Sequence, residues 1–215
     1  MDLVLFGIQG SGKGTQSKII AEKCELEIFE TGGALRKLSA EDSELGRKVK
    51  STIEAGHLVT TEIVMEIIED FLKKLPAGKS ALFDGIPRSE DQKIQFDQVM
   101  KNTGRNFMGL WIELTSDEAM KRLTTRRVCS KCKEGYPAFY QGEKCEKGGG
   151  ELITRTDDTP DAIKVRLQTF DEKTLPVIHE YETEGKMLKV DGEKSIPDVT
   201  SDILSILKPY YADKL

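Results

Sequence analysis

Residues 7–15 read Gly-Ile-Gln-Gly-Ser-Gly-Lys-Gly-Thr, a G-x-x-x-x-G-K string with a threonine two places after the lysine, set between an apolar run, Met1–Phe6, and a helical pattern, Lys13–Cys24. This order of strand, glycine turn and helix constrains the fold more than any other feature of the chain. Glycines let successive backbone N–H groups curl around an anion without side-chain obstruction. The helix start adds the positive end of its dipole. A lysine in this position reaches the β- and γ-phosphates of a nucleoside triphosphate, and the Thr15 hydroxyl lies toward magnesium or its water shell. A turn that only joined a strand to a helix would need neither side chain. Gly10, Ser11, Gly12, Lys13, Gly14 and Thr15 are therefore candidate ligands of a triphosphate.

Four further apolar stretches read as strands: Glu27–Phe29, Ser80–Phe83, Phe107–Leu114 and Lys186–Val190. Amphipathic helical patterns lie between them. Over Thr60–Lys74, Ile63, Val64, Ile67, Ile68, Phe71 and Leu72 recur at helical spacing, with Thr60 and Thr61 marking the start. Strands alternating with helices predict an α/β fold, a five-stranded parallel sheet with helices on both faces. From about Arg127 to Asp158 the chain is rich in Gly, Lys, Glu and Cys and poor in apolar residues, as a small appended subdomain outside the sheet would be. Thr159-Pro-Asp-Ala then opens a long helix, with a polar cap and proline at its first position.

A formal net charge of -5 speaks against a nucleic-acid binder, so any anion site has to be built locally. No apolar stretch approaches the ~20 residues that span a bilayer, and the N-terminus has no signal-peptide pattern, so a cytoplasmic protein is expected. Three of the four cysteines, Cys129, Cys132 and Cys145, crowd into the unusual segment, while Cys24 sits alone on a helix. Cys129-Ser-Lys-Cys132 has zinc-ligand spacing, and Cys145 is a short loop away. Three thiols held by packing alone are the alternative.

Beyond the phosphate loop, GSGKGTQ (10–16), TGGALR (31–36), GHLVT (56–60), DGIPRSEDQ (84–92), RLTTRR (122–127), ITRTDD (153–158) and VRL (165–167) follow one another along nearly the whole chain. In this order they resemble the adenylate kinases of the long-lid type. The resemblance implies a P-loop three-layer core of 1–29, 60–124 and 159–215, a nucleoside-monophosphate segment of 30–59 and a lid of 125–158. It implies the reaction ATP + AMP = 2 ADP with magnesium, and a monomer whose only partners are nucleotides. By the same resemblance Lys13, Asp84, Arg88, Arg126, Arg155 and Arg166 serve the transferring phosphoryl group. Arg122, Tyr136 and the backbone at Lys194 lie near the ATP base or ribose. Thr31, Gly32, Arg36, His57, Leu58, Val59, Gly85, Ile86, Pro87 and Gln92, with Arg88, Arg155 and Arg166, line the AMP pocket. In that set Arg36 pairs the AMP phosphate and Gln92 reads adenine.

The chain also departs from the family pattern. Gly148 stands where a fourth metal ligand sits in zinc-bearing lids, leaving Glu143, Glu146 or a water to complete a site. Gln9 stands where proline is usual, and Ile86 where phenylalanine is. Gly33 replaces an aspartate, removing a helix-start charge, and His57 replaces a lysine. Rival readings are a UMP or CMP kinase, against which Thr31, Gln92 and the long lid argue, a GTP-using AMP kinase, and a zinc-ribbon interaction module that senses ATP.

Overall fold

The computed structural model describes residues 1–132, 134–136, 140–155 and 158–215. The chain opens with β1 (Asp2–Phe6), α1 (Lys13–Cys24), β2 (Glu27–Glu30), α2 (Thr31–Ser39) and α3 (Glu44–Glu54). It continues through α4 (Thr61–Lys74), β3 (Ala81–Asp84), α5 (Glu90–Asn102), β4 (Phe107–Glu113) and α6 (Ser116–Thr124). Three short strands follow, β5 (Arg127–Cys129), β6 (Gly135–Tyr136) and β7 (Leu152–Ile153). The C-terminal part holds α7 (Pro160–Thr169), a π-helical turn (Phe170–Thr174), α8 (Leu175–Thr183), β8 (Met187–Asp191) and α9 (Ile196–Leu207).

The main sheet has the order β2-β3-β1-β4-β8, and every pair in it is parallel. Each of its strands lies within one residue of the apolar run that predicted it. Parallel strands covered on both faces need apolar residues at successive positions, and β1 is buried along its whole length. Val4, Phe6, Ala81, Phe83 and Trp111 point into one core, with residues of α4, α5 and α8. Leu3, Leu5, Leu82, Leu110 and Ile112 point into the other, against Ile20 of α1 and Val199 and Ile203 of α9. At about 1.5–3 kcal/mol for each fully buried large apolar side chain, these two layers hold the sheet rigid under whatever its loops carry.

Asp2 is the exception inside β1. Its buried carboxylate accepts two hydrogen bonds from Arg105, both at 2.6 Å, and one from the Ala81 amide at 2.8 Å. The charge is tolerated because it is paired and fully hydrogen-bonded.

Helix starts follow the local chemistry only in part. Thr159 Oγ1 accepts from the Ala162 amide at 3.2 Å, capping α7 with Pro160 in its first turn. Thr60 precedes α4 but its side chain makes no capping bond. Between α7 and α8 the helix widens into the π-helical turn just before Pro176. Proline has no N–H to donate and its ring crowds the carbonyl four residues earlier, and one wide turn relieves both. The segment set apart by composition forms its own antiparallel sheet, β6-β5-β7, unconnected to the main one.

Candidate functional site

The phosphate loop joins β1 to α1 at the carboxyl edge of the sheet. Gly7 adopts φ 152° and Gly12 φ 91°. A Cβ at Gly7 would lie 2.6 Å from the Ile112 carbonyl oxygen, so this turn admits only glycine there. Lys13 folds back over the loop and donates to the carbonyl oxygens of Gly7 and of Ile8, the latter at 3.0 Å. Burial lowers its pKa to about 8, an effect that the nearby Asp84 opposes and that Arg88 and Arg126 reinforce. Asp84 ends β3, 8% exposed. Burial raises its pKa, Lys13 opposes that shift, and Glu30 adds to it. A buried carboxylate beside an anion cradle is an oxygen ligand of the kind a hard divalent cation takes.

The loop forms the floor of a cleft of about 1310 Å³, more than the roughly 300–1,000 Å³ of an ordinary small-molecule pocket. Gly10, Ser11, Gly12, Gly14, Thr15, Arg122, Arg126, Tyr136 and Lys194 line it together with Lys13. Thr31, Gly32, Arg36, His57, Leu58, Val59, Gly85, Arg88, Gln92, Arg155 and Arg166 line it as well. Two predicted residues stand apart. Ile86 is a core side chain, 1% exposed, and with Pro87 it borders a separate cavity of about 30 Å³ behind the loop. Three buried polar atoms, Gln9 Oε1, Ser11 Oγ and Thr31 Oγ1, have no hydrogen-bond partner, and all three belong to residues that line the large cleft. Such atoms are costly unless a ligand or water satisfies them.

The cations are held by specific partners. Arg88 donates from Nε to the Gly85 carbonyl oxygen at 2.7 Å, and its amide donates to Gln92 Oε1 at 2.8 Å. Arg126 forks onto Asp158, Nε at 2.9 Å and Nη2 at 2.7 Å, and Arg166 Nη2 reaches the same carboxylate at 2.8 Å. Asp158 is the residue that reading the sequence missed as a site residue, although it closes the ITRTDD string; Thr156 and Asp157 of that string lie outside the described residues. Arg122 is set between Glu118 (3.0 Å) and the Gly192 carbonyl oxygen (3.1 Å). Arg127 leaves the cleft and donates to the Tyr140 carbonyl oxygen. Lys194 sends its ammonium to Asp202, 2.7 Å away, so only the rest of that residue faces the cleft.

A model of the family described as "Adenylate kinase" matches residues 5–186. Proteins named "Adenylate kinase" from Staphylococcus epidermidis (strain ATCC 35984) and Staphylococcus aureus (strain Mu50) are each 34% identical over 212 residues, covering 96% of this chain and 99% of theirs. The chain belongs to the adenylate kinase family.

In this adenylate kinase family member the segment of the β6-β5-β7 sheet carries the cysteine cluster. The Sγ atoms of Cys129, Cys132 and Cys145 lie within 4.8 Å of one another. Cys145 Sγ accepts from the Tyr136 hydroxyl at 3.1 Å and from the Gly148 amide at 3.0 Å. The Tyr136 bond, with the amide assisting, lowers the Cys145 pKa to about 6 against the opposing effect of burial. Tyr136 lines the cleft and sends its hydroxyl to the cluster. No carboxylate joins the three sulfurs among the described residues, and Glu146 instead accepts from the Tyr140 hydroxyl at 3.0 Å. A Cβ at Gly148 would lie 2.7 Å from Cys132 Sγ. Three soft ligands at this spacing suit zinc, and no fourth ligand stands with them among the described residues. Across the cleft from α1, Glu134 pairs with both Lys18 and Lys147.

Proposed function

We propose that this protein catalyses ATP + AMP = 2 ADP by direct in-line phosphoryl transfer, with no phosphoenzyme. One observation carries the reading: the phosphate loop, Arg36 and Arg88 on the acceptor side, and Arg126, Arg155 and Arg166 all line a single cleft. In such a transfer the charge spreads over the three equatorial oxygens of the moving group, so positioning and cationic stabilisation do the chemistry and no nucleophilic side chain is needed. Lys13 and the loop amides hold the donor phosphates, Arg36 and Arg88 hold the acceptor phosphate, and the other three arginines meet the charge between them. Magnesium, held through Thr15 and Asp84 or their waters, supplies further neutralisation of the phosphate oxygens. Gln92, its oxygen engaged by the Arg88 amide, offers its amide donors to the ring nitrogens of adenine, and Thr31 lies beside it. Arg122, Tyr136 and the backbone at Lys194 flank the donor base.

The reading divides the chain into a core of 1–29, 60–124 and 159–215, a monophosphate segment of 30–59 and a lid of 125–158. Both smaller parts close over the substrates and exclude water, which would otherwise accept the phosphoryl group. An ion pair between Lys18 and Glu134 joins α1 to the 125–158 segment. No helix among the described residues is long and apolar enough to cross a membrane. The enzyme works as a cytoplasmic monomer on free nucleotides. A coupled assay of ATP and GTP against AMP, CMP, UMP and GMP tests the assignment. ATP with AMP should give the highest kcat/KM, and background rates with AMP would overturn it.

The three cysteines would hold a structural zinc, with Glu143, Glu146 or a water left to complete the site. Protein purified without added zinc should carry about one zinc per chain, and Cys145→Ser should lose it, since structural zinc sites are four-coordinate and fold with their metal. Substoichiometric metal in the wild-type protein would sink this part of the account and leave the kinase assignment standing.

A further inference from the structure

The acceptor half of the cleft holds a carboxylate for which the transfer reaction has no use. Glu30 ends β2 at the carboxyl edge of the sheet, in register with Asp84 of β3, and lines the cleft. Its Oε1 accepts a hydrogen bond from Arg36 Nη2 at 2.8 Å. Its Oε2 lies over the start of α2, where a Cβ built on Gly33 would sit 3.0 Å from it. The helix-start acid missing from position 33 has therefore not been lost. It is supplied from position 30, through the opening that glycine leaves, and the longer side chain reaches the guanidinium as well.

We propose that Glu30 is a positioning residue that stands in for the acceptor phosphate. It holds Arg36 oriented in the empty cleft and gives way when a nucleoside monophosphate arrives. The proposal rests on the reading of Arg36 as the acceptor-phosphate arginine. Both partners are partly exposed, 38% for Arg36 and 54% for Glu30, and such pairs are weak enough for a phosphate to replace. A phosphate dianion offers the guanidinium more charge than a carboxylate and the same two-pronged geometry. Displacing the carboxylate, and then binding beside it, weakens ground-state capture of AMP and leaves the transfer step untouched.

Glu30→Gln tests this, because the amide oxygen still accepts from Arg36 while the charge is gone. The KM for AMP should fall about fourfold, with kcat and the KM for ATP within about twofold of wild type. Raising the salt toward ~1 M should erase most of the difference, since the effect is a screened charge interaction. Gly33→Asp, which sets a second carboxylate against the first, should raise the KM for AMP in the wild-type background and much less beside Glu30→Gln. Arg36→Ala is the companion measurement and should raise the KM for AMP at least about tenfold. If Arg36→Ala does so but Glu30→Gln leaves that KM unchanged or raises it, the role of Glu30 is refuted and the acceptor site stands. If Arg36→Ala has no effect on it, the acceptor site and the role of Glu30 fall together.

Discussion

Lys13→Met is expected to lower kcat by about 10³-fold or more, because it removes the ammonium that the loop carbonyls hold at the floor of the cleft. Methionine keeps most of the stem and its packing but not the charge. The fold should not suffer. Burial lowers the Lys13 pKa from 10.5 to about 8, so the folded state holds the proton less tightly than the unfolded chain. Below about pH 8 the charge is present in both states and its burial costs stability, and this cost is relieved as pH rises from 8 toward 10.5. At pH 7 the variant should therefore melt no lower than wild type. The same shift predicts that wild-type kcat/KM, which reports the free enzyme, falls above about pH 8. Bound phosphates restore the lysine charge, so kcat should hold further into the alkaline range. Wild-type activity in Lys13→Met would refute the assignment of the lysine.

Asp158→Ala should be the next most damaging change, and it should act on folding and catalysis together. The Asp158 side chain is fully buried and serves two arginines at once. Without it Arg126 and Arg166 lose the carboxylate they share, and removing one member of a buried ion pair typically costs about 3–5 kcal/mol. The arginines also lose the fork that aims them, and misplacement by about 1 Å is worth about 10²-fold in rate. Saturating ATP and AMP should restore part of the lost thermal stability, since their phosphates supply negative charge to the same two guanidinium groups. A variant that melts and turns over like wild type would show that Asp158 neither holds nor orients them.

The core was legible because its signals are local. Apolar runs of strand length, the glycines of the first turn and Thr159-Pro160 at the start of α7 each report a backbone state within a few residues. The arginines that line the cleft could be read as well, because their strings occur in order along the chain. What stayed hidden depends on partners far apart in sequence. Asp158 becomes a site residue only when the fold brings Arg126, 32 positions away, onto it. Glu30 fell just beyond a predicted strand, and Gly33 looked like a missing acid, until both were seen to share one space. The bond from the Tyr136 hydroxyl to Cys145 left no trace in periodicity, because nine positions separate the two residues. Strands β6 and β7 of the small sheet are two residues each, too short for an alternating pattern to register.

The central claim is that one cleft aligns two nucleotides with their phosphates meeting between the first turn and the arginines. The most direct test is the crystal structure of the protein with a bisubstrate compound, two adenosines joined 5′ to 5′ by a chain of five phosphates. One molecule should be bound per chain, with one end of its phosphate chain on the loop amides and Lys13, the other on Arg36 and Arg88, and Arg126, Arg155 and Arg166 along its middle. A complex in which only one adenosine enters the cleft, with the rest of the phosphate chain in solvent, would contradict the account.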